Sequence, residues 1–225
     1  MPEYLAGVGS YYLWHPTFQL ANNTILKNYN PQHKVALFVP CSWAKPYSQS
    51  YIHAELRKDL RSAGLLNCVD YIHVSSGGIV PHAYETQYPW TAYDWNNSWI
   101  DPGDEVTFQL LRQAIRLRFV DFIRTITTRS GGWKRMLCAF RESSNTMLAL
   151  QAATADLRPY AHPRYNFELV ALPAHQADAS ADELYKELYG YVDPDVSLFE
   201  NSDMIIDALM ETLEQLRKQE TEANA

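Results

Sequence analysis

Short apolar runs alternate along this chain with longer segments in which apolar residues recur every three or four positions. The runs are rich in β-branched and aromatic residues, which favours buried strands. They occupy residues 35–39, 69–74, 136–140 and 167–172. The periodic segments predict helices at residues 16–28, 50–62, 101–128, 145–153, 180–190 and 205–216.

This alternation predicts how the elements are arranged. Strands joined through a helix run parallel in one sheet, with helices packed on its faces. We therefore expect a three-layer α/β/α fold with a mainly parallel four-stranded sheet. For the long helix, Asp101 is the predicted cap and Pro102 the first helical residue.

The length of 225 residues and the lack of a linker-like segment predict one α/β domain over residues 1–225. Its core is expected at about residues 14–175, with C-terminal helices at 180–218. The 15 tyrosines and 6 tryptophans are more than packing normally uses, so we expect some of them to line a pocket.

Charge and cysteine content limit the functional classes. A net charge of −7 lacks the basic footprint of a protein that binds nucleic acid unaided. The basic cluster of Arg112, Arg116, Arg118 and Arg124 is either a solvated helix face, which we favour, or a phosphate-contacting patch. Three widely spaced cysteines disfavour a disulfide framework. With no signal peptide and no long apolar span, the sequence predicts a cytoplasmic protein without membrane contact.

Residues 40–53, directly after the first strand, carry the densest chemistry in the chain. Side chains at the carboxyl end of a parallel strand converge on the crevice where ligands bind in open α/β sheets. Cys41, Lys45 and His53 are the candidate catalytic residues there. The candidate substrate-binding residues are Tyr47, Ser50, Ser75, Ser76, Glu85, Tyr93 and Asp94.

These residues resemble a known pattern. Pro40-Cys41, three residues, Lys45-Pro46-Tyr47, two residues, Ser50, two residues and His53 is similar to the signature of the archaeosine synthase core domain. A second stretch of that core, downstream of the cysteine motif, is similar to Ser75, Ser76, Val80-Pro81, Glu85, Tyr88-Pro89 and Tyr93-Asp94. The family joins lysine to the nitrile of 7-cyano-7-deazaguanine within transfer RNA.

The resemblance implies that Cys41 adds to the nitrile as a thiolate and forms a thioimidate, which an amine then displaces. Lys45 would favour the thiolate or hold a phosphate, and His53 would transfer a proton or be structural. Glu85 and Asp94 are alternative general acids or ligands of the base edge, while Tyr47, Tyr88 and Tyr93 are candidates for stacking. No metal or cofactor is expected.

The expected partners are lysine and modified transfer RNA or another nucleic acid that bears 7-deazaguanine. Members of the family usually attach this core to a transglycosylase-like region and an RNA-binding module, for which we find no counterpart in this sequence. This suggests a separate partner chain, a different polynucleotide or a free base as substrate. The element order is similar to the uracil-DNA glycosylase architecture.

Two other interpretations stay open: a non-catalytic module that positions a modified base for a partner enzyme, and a glycosylase-like hydrolase on modified nucleic acid. The sequence contains no GxSxG elbow, Walker loop, dinucleotide-binding glycine pattern or zinc spacing.

Overall fold

The computed structural model of the chain describes residues 4–7, 10–94, 100–157, 166–175, 179–189 and 195–223. Its strands are β1 (Leu5–Ala6), β2 (Val35–Pro40), β3 (Val69–Val74), β4 (Ile79–Pro81), β5 (Tyr93–Asp94), β6 (Arg135–Arg141) and β7 (Phe167–Leu172). Its helices are α1 (Ser10–Leu13), α2 (Pro16–Asn28), α3 (Tyr51–Ser62), α4 (Glu105–Ser130), α5 (Asn145–Leu157), α6 (Ala179–Tyr189), α7 (Ser197–Glu200) and α8 (Ser202–Ala223).

The main sheet confirms the predicted α/β class with a mostly parallel sheet. Its strand order is β4-β3-β2-β6-β7, and the four strands predicted from the sequence run parallel. The prediction of only four strands is wrong, because β4 adds an antiparallel edge to β3. Its three residues are too short for a periodic pattern. A separate parallel pair joins β1 to β5.

Helices cover both faces of the sheet. The side chains of β2 alternate between two buried clusters, which is the expected consequence of the two-residue strand period. Ala36 and Phe38 face the cluster that includes α2, α4 and α5, whereas Val35, Leu37 and Val39 face the cluster that includes α3, α7 and α8. All six residues of β2 are buried, so this strand forms the centre of the molecule.

The helix termini correct the predicted start of α4 and the predicted end of α8. Asp104, not Asp101, caps α4, because its side chain accepts a hydrogen bond from the Thr107 amide at 3.0 Å. Asp101 instead closes the preceding turn, in which its carbonyl accepts from the Asp104 amide. The C-terminal helix continues to Ala223, beyond the predicted end. None of the described helices combines the length and the apolar composition that spanning a bilayer requires.

A buried carboxylate ties together the amino ends of the central strands. Asp70, at the start of β3, accepts hydrogen bonds from the Gln32 amide at 3.0 Å and the Trp133 indole at 2.7 Å. It also lies 3.0 Å from the imidazole of His33. These contacts join the segments that precede β2 and β6 to the first residues of β3.

We expect Asp70→Ala to lower the free energy of unfolding by about 3 kcal/mol, because it leaves buried donors without an acceptor. Urea unfolding followed by circular dichroism measures this. The matched control is Asp207→Ala on the exposed face of α8, which should change the free energy by less than about 0.5 kcal/mol. Equal stability of the two variants would contradict the assignment.

Candidate functional site

The predicted catalytic cysteine lies at the carboxyl edge of the sheet. Its backbone amide donates to the carbonyl of Val74 at 3.0 Å, which extends the pairing of β2 with β3 one residue beyond the strand. The side chain of Cys41 is half-buried against the aromatic core. The thiol therefore lies directly after the end of β2. It belongs to the first residue of the motif loop, which we define as residues 41–50.

Two buried tyrosines belong to the cluster against which this cysteine packs. The hydroxyls of Tyr47 and Tyr93 are 2.6 Å apart, and the hydroxyl of Ser75 lies near both. Burial, the largest cause, raises the pKa of each tyrosine well above its ordinary value, and the charge of a Cys41 thiolate would raise both further. Both phenols are therefore neutral at physiological pH. The fold thus brings four of the predicted site residues together.

The ammonium group of Lys45 lies over the rings of the same two tyrosines. Its Nζ donates to the backbone carbonyls of Ser42 at 2.5 Å and Trp43 at 3.0 Å. It lies 5.1 Å from the ring centroid of Tyr47 and 4.7 Å from that of Tyr93. Because these two rings are buried and covered by the ammonium, a base could stack on them only after a rearrangement. Their hydroxyls are within electrostatic range of Cys41, which packs against the same cluster.

An exposed aromatic side chain at the motif loop was not among the predicted site residues. Trp43 is 52% exposed, and its indole donates to the carboxylate of Asp94 at 3.2 Å. Asp94, predicted to bind substrate, thus holds the tryptophan at the rim. An aromatic residue between the motif positions of a predicted loop is the sequence signal that could have identified Trp43.

The buried side chain of Glu85 anchors the motif loop through Ser48. It is 1% exposed, and its carboxylate accepts from the amide of Ser48 at 3.0 Å and also from the Ser48 hydroxyl. His73 and His82 lie at 3.1 and 3.0 Å from its two oxygens. Burial opposes ionisation, but the two histidines and Ser48 outweigh it and hold the pKa of Glu85 well below its ordinary value. The structure therefore places this predicted substrate ligand inside the protein.

His53, the third predicted catalytic residue, is fully buried. Its Nδ1 lies 2.9 Å from the hydroxyl of Tyr71, and its ring packs edge-on against His73 at a centroid distance of 4.7 Å. Burial lowers the pKa of His53 well below its ordinary value, and His73 lowers it further. Of the two roles considered from the sequence, this setting favours the structural one.

The remaining predicted ligands stabilise loops. The hydroxyl of Ser50 donates to the carbonyl of Tyr47 at 2.7 Å, and the carbonyl of Ser76 accepts from Arg118. At the neighbouring Gly78, a Cβ would lie 2.1 Å from Oδ1 of Asn22. Close packing of α2, rather than a positive φ or a ligand, therefore explains the glycine in this loop.

The basic cluster of α4 is largely paired within the protein. Arg116 donates to both oxygens of Asp156 at 2.6 Å, and Arg112 pairs with Glu105. Arg118 points inward, where burial lowers its pKa to about 10. These contacts support the interpretation of a solvated helix face over a phosphate-contacting patch.

His175 joins the end of β7 to the C-terminal helices. Its Nδ1 lies 2.9 Å from Glu200 and its Nε2 lies 3.1 Å from Asp182. Burial lowers its pKa, but hydrogen bonds to the two carboxylates outweigh burial and raise the pKa overall. These contacts join β7 to α6 and α7 and therefore stabilise the fold.

We expect His175→Gln to reduce stability at pH 5.5 but not at pH 9. The raised pKa means that protonated His175 stabilises the folded state fully below the unfolded value of about 6.5, and that this contribution disappears as pH rises through the folded value. Thermal unfolding of both proteins at the two pH values measures it. An equal loss at both would show that the charge of His175 does not contribute.

Comparison with known proteins gives a family but no activity. A model of the family described as "Domain of unknown function (DUF5591)" matches residues 20–155, more than half of the chain. No curated protein sequence matches. One solved structure that matches is described as the crystal structure of AF0587, a protein of unknown function. It is 19% identical with a TM-score of 0.39, and the match covers 80% of this chain and 53% of that one. This chain thus spans about half the length of that protein.

Proposed function

Because this chain belongs to the DUF5591 family, whose description states no activity, we propose its function from the site together with the sequence resemblance: it adds the amine of lysine to the nitrile of 7-cyano-7-deazaguanine in transfer RNA. The observation that carries the proposal is the half-buried Cys41 at the carboxyl edge of the sheet, packed against the cluster that contains Tyr47 and Tyr93. The resemblance to the archaeosine synthase core supplies the reaction class.

In the first proposed step, the thiolate of Cys41 adds to the electrophilic carbon of the nitrile. A carbon–sulfur bond forms, one π bond of the nitrile breaks, and its nitrogen takes up a proton, which gives a thioimidate. The neutral hydroxyls beside Cys41 suit this step, because a hydroxyl that keeps its proton can donate to the nitrogen as negative charge develops there.

In the second proposed step, the amine of lysine adds to the thioimidate carbon. The carbon–sulfur bond then breaks, the amine loses a proton, and the cysteine is released as it began. The sum is addition of an amine across a nitrile to give an amidine, without change of oxidation state. Neither step requires a redox cofactor.

The other residues receive supporting roles in this proposal. The ammonium of Lys45 stabilises negative charge that develops at the site, because it is fixed over the same tyrosines. Glu85 and His53 are positioning residues, since one fastens the loop and the other packs beneath it. Trp43 offers the exposed aromatic surface at the rim.

The proposed setting is a cytoplasmic complex on modified transfer RNA. A chain with a net charge of −7 and paired arginines on α4 has little positive surface to attract a polynucleotide. We therefore propose that a transglycosylase-like or RNA-binding subunit presents the modified nucleotide to this site. The uracil-DNA glycosylase-like architecture remains a prediction from the order of the elements.

Cys41→Ala should abolish the lysine adduct, because the thioimidate cannot form without the sulfur. Mass spectrometry of nucleosides from 7-cyano-7-deazaguanine-bearing transfer RNA incubated with lysine measures the product. The matched control is Cys68→Ala, which should keep the wild-type yield. It removes a thiol that donates a hydrogen bond to the Gly64 carbonyl, away from the motif loop.

Other outcomes of the same assay separate the alternatives. An unchanged yield in Cys41→Ala would reject the covalent mechanism. Binding of the modified RNA by both proteins without any adduct would favour a recognition module. Release of free base without lysine would favour a glycosylase-like hydrolase.

Trp43→Ala should weaken binding of the modified RNA about tenfold, since a base stacked on an aromatic ring contributes roughly 1–3 kcal/mol. The turnover number of bound substrate should change less than the binding. The matched control is Trp14→Ala, because Trp14 is 43% exposed but packs over Arg118. Affinities from fluorescence anisotropy test this, and equal weakening in both variants would exclude a specific role for Trp43.

A further inference from the structure

Three side chains near the motif loop bring potential metal ligands together. His73 lies in β3, His82 directly follows β4, and Glu85 ends the short turn after it. One ligand atom from each of the three lies within 4.8 Å of the other two. Antiparallel pairing of β4 with β3 creates this proximity, because it places Val80 opposite His73.

The contacts within this cluster have metal-like spacing but not hydrogen-bond geometry. His73 Nε2 and His82 Nδ1 lie 3.1 and 3.0 Å from the oxygens of Glu85. Neither nitrogen has a hydrogen-bond partner among the described residues, although His73 is fully buried. Ligand atoms about 2.0–2.1 Å from a zinc ion lie about 2.9–3.4 Å from each other at bond angles between octahedral and tetrahedral. Each histidine nitrogen lies at such a distance from one oxygen of Glu85, and small side-chain rotations would bring one atom of each residue to a common ion.

The surroundings of the cluster provide the supporting contacts that metal ligands need. The amide and hydroxyl of Ser48 both donate to the carboxylate of Glu85. The ring of His73 is held between Tyr47 and His53, at centroid distances of 4.6 and 4.7 Å. Such outer contacts fix the orientation of ligating side chains in metal sites.

An ion also has a route to the cluster. The side chain of His82 is 40% exposed, and it lines a cleft of about 290 Å³ that Arg57 and Tyr71 also border. Two imidazoles with one carboxylate suit zinc and neighbouring transition metals, whereas magnesium and calcium prefer oxygen ligands.

We propose that His73, His82 and Glu85 bind a divalent transition-metal ion of the zinc class. The ion joins β3 to the segment after β4 and, through Glu85 and Ser48, stabilises the motif loop. This site goes beyond the proposed amine transfer, in which no step uses a metal.

The test uses the full chain after dialysis against EDTA, titrated with Zn²⁺ in a calorimeter. We expect one equivalent bound per chain and a rise in the unfolding temperature, because the ion binds the folded state. His82→Ala, which alters a half-exposed side chain, should lower the zinc affinity at least about tenfold and remove the thermal shift. Glu85→Gln should do the same, with circular dichroism to confirm that it is folded.

Two controls make the assignment specific. His175→Ala removes a histidine that contacts two carboxylates elsewhere, and Cys41→Ala removes the nearby thiol; both should keep wild-type zinc binding. Absence of binding by the wild type, or undiminished binding by His82→Ala, would overturn the proposal, as would loss of binding in either control. Because Cys41→Ala is expected to lose the lysine adduct but keep zinc, the two proposals fail independently.

Discussion

The candidate site depends on one buried carboxylate. The motif loop between β2 and α3 has only a single 3₁₀ turn, so a side chain must fix it to the sheet. Glu85 does this by accepting from both donors of Ser48 while two histidines flank its oxygens. A buried charge is tolerated only when such partners replace its lost hydration. The position of the loop and the ionised state of Glu85 therefore depend on each other.

A second buried carboxylate, Asp70, lies at the opposite end of β3 from the contact with Glu85. Asp70 is the second residue of β3 and His73 is near its last residue, with Tyr71 and Ile72 buried between them. Asp70 accepts from segments that precede β2 and β6, whereas His73 contacts Glu85, which anchors the loop after β2. The centre of the sheet is therefore apolar, and the polar groups at its two ends fix which segments meet there.

The sequence predicted what local patterns determine. The four parallel strands and the helices between them are explained by apolar runs and helical periodicity, and the clustering of Cys41 and Tyr47 by their place after a strand. The features it missed depend on tertiary pairing. β4 is too short to show a pattern, and its antiparallel return is what brings His82 to His73 across the intervening turn. Asp101 and Asp104 both suit a cap, and only the turn between them decides which is used.

The charged groups near the motif loop and on α4 are held by different kinds of partner. Lys45 donates to two carbonyl oxygens and lies over two aromatic ring faces. Arg116 differs, because a carboxylate binds both of its donors. Ion pairs of this kind, together with a net charge of −7, leave little long-range attraction for a polyanion. In the proposed reaction a partner must therefore bring the nucleotide to the site, because long-range attraction scales with the charge of the whole surface.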